Sequence, residues 1–151
     1  MVAAVVIAAS TITIAWVAHR SGLGVVLTVD TDKSEYVPGE SVLIHLQLKN
    51  YGFSTVELVY GNSATYTLII FDSSGGQLFR EPKFAIEIIT RVELGPGESK
   101  SWERTWEQVS DTGEQIGLPD VFTVLALASD HEHDLRAQAT FSIASGPILT
   151  G

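Results

Sequence analysis

Between residues 24 and 143 the apolar side chains recur every second position, and this constrains the fold more than any other feature. Val42, Ile44, Leu46 and Leu48 alternate with Leu43, His45, Gln47 and Lys49. Tyr66, Leu68 and Ile70 alternate with Thr65, Thr67 and Ile69. Phe84, Ile86 and Ile88 alternate with Ala85, Glu87 and Ile89, and Ala137, Ala139, Phe141 and Ile143 with Gln138, Thr140 and Ser142. Side chains two apart on an extended chain share a face, so each run offers one face to a core and one to water. No run of helical period in this stretch exceeds two turns.

Turn chemistry separates the runs. Pro38-Gly39 and Pro96-Gly97 each suit a type II turn, in which proline presets the first central φ and glycine supplies a positive second one. Residues 72–76 (Asp-Ser-Ser-Gly-Gly) and 50–52 (Asn-Tyr-Gly) each divide one run from the next. The pattern predicts strands over residues 25–31, 41–49, 54–60, 65–71, 77–80, 84–94, 99–107, 121–128 and 136–143. Short strands at this spacing imply a mainly β domain, an immunoglobulin-like antiparallel β-sandwich over residues 24–143. Residues 144–151 then form a tail, loose or a contact strip.

The start of the chain follows another rule. Its 18 acidic and nine basic residues all lie beyond Ala18, so residues 1–18 are uncharged. As a helix, residues 1–18 would be about 27 Å long, against a bilayer hydrocarbon core of about 30 Å. Trp16 followed by Arg20 fits an interfacial anchor, and Gly22 and Gly24 would release the chain. Three readings stay open: a hydrophobic helix over residues 1–22, a strand using the Thr11-Ile12-Thr13-Ile14 alternation, or a cleaved signal. The first is preferred, with Val2, Val5, Val6, Ile7, Ile12, Ile14, Trp16 and Val17 as the anchoring or assembly residues. Val5-Val6-Ile7-Ala8-Ala9, Ile12-Thr13-Ile14-Ala15-Trp16 and Gly22 give this opening a likeness to another group. It resembles the mature N-terminus of archaeal type IV pilin-like proteins, which implies a filament core or membrane anchor.

The longer, alternating stretch carries a second resemblance. Its bearers are Tyr36-x-Pro38-Gly39-Glu40 with the alternating run to Asn50, then Val56, Leu58, Tyr66 and Asp72. They continue through Gly75, Gly76, Leu78, Phe79, Arg80 and Phe84, then Val92, Leu94, Pro96-Gly97-Glu98 and Trp106. In this order they resemble the intracellular proteinase inhibitor (BsuPI) type over about residues 26–143. That resemblance implies an immunoglobulin-like sandwich, inhibitor activity and an intracellular setting. At Leu118-Pro119-Asp120 the chain departs from the family's usual Pro-Gly.

Composition narrows the function. A formal charge of −9 without a basic cluster argues against nucleic acid as partner. The absence of cysteine excludes disulfides, thiolate nucleophiles and zinc–thiolate sites. Asp130-His131-Glu132-His133-Asp134 is the densest polar cluster. His131 and His133 would share one side of an extended chain and offer two imidazoles, but no third ligand stands at a recognisable spacing, and a solvated loop is the preferred reading. His45 has no Ser or Asp partner in a motif, Gly75-Gly76 reads as a hairpin turn rather than a phosphate loop, and Glu103 with Glu107 reads as a wet strand face. The chain is therefore expected to be no enzyme, with no catalytic or metal residues and no cofactor. Trp102, Arg104 and Trp106 lie on one strand face, either as core or as an exposed interaction face, since Trp and Arg dominate binding hot spots.

The function expected from these readings is a cell-surface structural or interaction protein. It would be an extracellular pilin-like filament subunit or membrane-anchored sandwich, partnered through residues 1–18 with itself or with the membrane, another protein being a further partner. The alternatives are a BsuPI-type proteinase inhibitor using a loop such as residues 111–120, and an accessory protein anchoring surface-layer or motility machinery.

Overall fold

The computed structural model describes residues 24–146. Residues 1–23, with the anchor positions Val2, Val5, Val6, Ile7, Ile12, Ile14, Trp16 and Val17, and residues 147–151 of the tail lie outside the described residues.

Ten strands follow in order: β1 (Val25–Thr31), β2 (Glu35–Tyr36), β3 (Val42–Asn50), β4 (Val56–Tyr60), β5 (Thr67–Phe71), β6 (Gln77–Glu81), β7 (Thr90–Leu94), β8 (Ser99–Trp106), β9 (Asp120–Leu127) and β10 (Arg136–Ile143). Among the described residues there is no helix. The strands form three open sheets, ordered β1-β3-β8, β2-β10-β9-β5-β6 and β4-β7. β1 of the first sheet lies against β10 and β9 of the second.

The alternation of β3 accounts for its place. Val42, Ile44, Leu46 and Leu48 are all fully buried, and the residues between them are half-exposed. Burying each such side chain contributes about 1.5–3 kcal/mol relative to exposure, as an upper bound. β3 pairs antiparallel with β1 (Leu46 opposite Val29) and with β8 (Leu46 opposite Trp102). Aromatic rings tie the first two sheets together: Trp106 of β8 meets Phe122 of β9 at 5.9 Å and Phe141 of β10 at 6.1 Å, both edge-on. Tyr36 closes that cluster edge-on to Phe141 at 5.6 Å. Its hydroxyl donates to Asp32 Oδ1 at 2.5 Å, and burial, then this carboxylate, push the phenol up to about 12.

Both Pro-Gly turns form as their residues dictate. Glu40 N–H donates to Val37 carbonyl O and Glu98 N–H to Gly95 carbonyl O. Gly39 and Gly97 hold φ of 82° and 78° at the third turn position. The first turn is also plugged by a side chain. Gln108 accepts from Gly39 N–H at 2.9 Å and donates to the carbonyls of Val37 and Glu40 at 2.9 and 2.8 Å. Gln108 itself sits in the left-handed region, φ 59°, just after β8 ends. Asn50 does similar work at the far end of β3, donating to Ser54 and Leu94 carbonyls and accepting from Gly52 N–H.

Two expectations need correction. The pairing is not wholly antiparallel: the two-residue β2 runs parallel to β10, Ser142 opposite Glu35. The strand read over residues 84–94 is also too long, because only Thr90–Leu94 pairs, with β4. β4 ends at Tyr60, opposite Thr90, so residues 84–89 have no partner strand among the described residues and their alternation leaves both faces exposed.

Candidate functional site

Residues 82–89 (Pro-Lys-Phe-Ala-Ile-Glu-Ile-Ile) connect β6 to β7. Phe84 is 91% exposed, Ile86 70%, Ile88 54% and Ile89 67%. Single exposed apolar residues are ordinary, but four large ones within six positions concentrate exposed apolar area in the way that marks a binding surface. No aromatic contact covers Phe84 among the described residues.

The segment is held at several points. Ser63 N–H donates to Ile86 carbonyl O at 2.9 Å, and Ile86 N–H donates back to Ser63 Oγ at 3.1 Å. Lys83 Nζ lies 3.4 Å from Asp111 Oδ1. The other carboxylate oxygen of Asp111 accepts from Arg80 N–H at 2.9 Å, and Asp111 N–H donates to Leu78 carbonyl O at 2.8 Å. Arg104 Nε stands 2.9 Å from Glu81 Oε1 as an ion pair without hydrogen-bond alignment. Such anchors cut the conformational freedom a partner must otherwise freeze.

A cleft lies on each side of the segment. The larger, about 700 Å³, is bordered by Tyr60, Tyr66, Arg80, Lys83, Ala85 and His131. The smaller, about 300 Å³, is bordered by Ser63, Tyr66, Pro82, Phe84, Trp102 and Arg104. Lys83 and Ala85 thus border one cleft and Phe84 the other, while Pro82 borders both.

The stripe Trp102, Arg104 and Trp106 divides between core and site. Trp106 is 2% exposed and its Nε1–H donates to Val109 carbonyl O. Trp102 and Arg104 are half-buried and converge on Tyr66. The Trp102 and Tyr66 rings are 5.2 Å apart, and the Arg104 guanidinium stands 5.3 Å from the Tyr66 centroid. Burial raises the Tyr66 phenol above its ordinary range, with the Arg104 charge opposing it. Trp102 and Arg104 therefore wall the cleft beside Phe84, a juxtaposition that strand spacing alone does not reveal.

The polar loop after β9 is organised from within. Asp130 accepts from the N–H groups of Val59, Glu132 and His133 at 2.8, 3.1 and 2.7 Å, and lies 2.6 Å from His133 Nδ1. Burial works to raise the Asp130 carboxyl, but these contacts outweigh it and hold it below the usual carboxylate range. His133 is thereby buried on Asp130 while His131 borders the larger cleft, so the two imidazoles do not converge. Among the described residues no three His, Asp or Glu side chains are grouped as a metal would require. His45 lies 3.9 Å from Asp30, and Glu107 accepts from Ser41 Oγ.

Residues 111–120 are partly turned inward. Val109 bridges to Gln115, Ser110 Oγ donates to Glu114 carbonyl O, and Ile116 and Leu118 pack on the core. Their contribution to the site is Asp111, which braces residues 80–83. Sequence reasoning misses the segment itself by reading its alternation as a strand. The available signals are Pro82 at the start of the run and Ile88-Ile89 near its end, where two adjacent large apolar residues break the period.

The sequence model of a family described as BsuPI, intracellular proteinase inhibitor, matches residues 29–127, from within β1 to the end of β9. No match is found among curated proteins. Among solved structures, the chain is similar to Spo0M, sporulation control protein, from Bacillus subtilis, with a TM-score of 0.52 and 15% identity, over 82% of this chain and 51% of that one. It is also similar to a β-glucosidase, EmGH1, from Erythrobacter marinus, with a TM-score of 0.49 and 13% identity, over 80% of this chain and 15% of that one. A β-glucosidase from Listeria innocua matches with a TM-score of 0.45 and 15% identity, over 82% of this chain and 17% of that one. The chain thus spans from about a seventh to about half of the length of these proteins. At 15% identity the likeness to Spo0M concerns the fold alone.

The family match overturns the expected function and location. A pilin-like, extracellular or cell-surface filament subunit conflicts with a family of intracellular inhibitors, which is also not a family of enzymes. The apolar opening misleads because any hydrophobic anchor shares that composition. The match covers most of the alternating stretch of the chain, and on it the chain belongs to the BsuPI intracellular proteinase inhibitor family.

Proposed function

We propose that this protein is a non-enzymatic inhibitor of an intracellular proteinase. Residues 24–143 would serve as an immunoglobulin-like β-sandwich that presents residues 82–89 to the enzyme. The family membership supports the activity. The observation that carries the reading to a surface is the unpaired segment with Phe84, Ile86, Ile88 and Ile89 exposed and its backbone tied to Ser63. An extended, partly pre-ordered strand is what a peptide-cleaving cleft binds, by main-chain pairing and alternate side-chain pockets. Two sheets joined through Trp106, Phe122 and Phe141 supply the rigid base.

The test is titration of a subtilisin-like proteinase with the full chain. Stoichiometric loss of peptidase activity, with the inhibitor recovered intact, is the expected result. Absence of inhibition across subtilisin-, chymotrypsin- and trypsin-like enzymes would end the reading.

A further inference from the structure

We infer that Phe84 is the specificity-determining residue of the inhibitor, the side chain that enters the primary pocket of a proteinase with a deep, uncharged, apolar pocket. This rests on the inhibitor reading above and deepens it.

Three observations single out Phe84. It is the largest side chain of the segment and the most exposed of its large apolar residues. Its own N–H and C=O make no hydrogen bond to any other described residue. They are free for the antiparallel pairing by which proteinases hold the residue filling the primary pocket. Two positions further on, Ile86 has both N–H and C=O engaged by Ser63, and one position back Lys83 is tethered to Asp111. The segment is thus fastened on either side of a free Phe84, with small Ala85 next to it.

The neighbours refine the partner's chemistry. Lys83 is paired with Asp111, so it is less available than Phe84 to seek a carboxylate in a pocket. Ile88 and Ile89 are less exposed than Phe84 and adjoin the anchored start of β7. Phe53 is fully exposed, but it lies in the loop between β3 and β4, on a different connection of the fold. A proteinase with a carboxylate at the base of its pocket selects a cationic residue, and an apolar slot selects an aromatic one.

The experiment measures inhibition constants of the full chain and of Phe84→Ala, Phe84→Lys, Phe84→Leu and Phe53→Ala against subtilisin, chymotrypsin and trypsin. Thermal melts run beside them as a control for folding. The unaltered chain is expected to inhibit subtilisin or chymotrypsin and to act at least about 100-fold more weakly on trypsin. Phe84→Ala should weaken inhibition by about 100-fold or more, Phe84→Leu by much less, and Phe53→Ala should leave it unchanged. Phe84→Lys should move inhibition to trypsin. If the unaltered chain inhibits but Phe84→Ala costs less than about tenfold, this inference fails and the inhibitor reading survives. A chain that acts only on trypsin also overturns it. A chain that inhibits none of the three at about 10 µM overturns both.

Discussion

The connection between β6 and β7 and the connection between β9 and β10 flank the same larger cleft and solve opposite problems. Residues 129–135 draw polar groups inward: Asp130 gathers three N–H donors and the His133 ring, and Leu135 is buried beneath. Residues 82–89 push apolar groups outward, with Phe84 and Ile86 held in water by tethers on the backbone and on Lys83. The first loop is complete within the chain. Residues 82–89 hold apolar area that the other described residues leave uncovered, which is why they read as the functional connection.

This contrast yields predictions that separate function from stability. The largest effect belongs to replacing Phe84, Ile86, Ile88 and Ile89 together by Ser. Proteinase inhibition should fall by about 100-fold or more, while urea unfolding stays within about 1 kcal/mol of the original, because the side chains removed are exposed. Asp130→Ala should behave inversely. It strands several N–H donors, so unfolding free energy should drop by about 3 kcal/mol in urea titrations, with inhibition constants at a permissive temperature little changed. If both variants lose inhibition in proportion to stability, the contrast between the loops is broken.

Smaller effects sharpen it. Ser63→Ala removes the acceptor of Ile86 N–H, so that amide should exchange with solvent faster and inhibition should weaken by about two- to tenfold. The pH response is the subtlest. The Asp130 carboxyl sits below its ordinary value of 3.8 in the fold, so its contribution is complete above that value and is lost as pH falls through the lowered one. The stability gap between the original chain and Asp130→Asn should therefore narrow below about pH 4, and a gap unchanged down to pH 2 would remove the carboxylate from the account.

Much of the fold is legible in the residues because burial leaves a direct trace. β3 can be read to within a residue since one face of it is apolar from Val42 to Leu48, and the Pro-Gly turns can be read because glycine adopts their positive φ without strain. β2 is invisible: two residues carry no period, and Tyr36 belongs there through its contact with Phe141, a partner over a hundred positions away. The site is misread for a related reason. Alternation states which side chains share a face, but whether a neighbouring strand covers that face depends on where β4 stops. Trp102 and Arg104 stand out in the sequence as an aromatic and a cation on one face, yet their meeting with Tyr66 and the smaller cleft arises from packing between sheets.

The left-handed Gln108 has a consequence for the length of an open sheet edge. Among the described residues β8 borders its sheet, paired with β3 alone, and an open edge can recruit further chains. Gln108, locked into the Val37–Glu40 turn by three hydrogen bonds, turns the main chain aside two residues past Trp106. A single amide thus fixes where that exposed ladder stops, and leaves Ser99–Trp106 as the stretch a second chain could pair with.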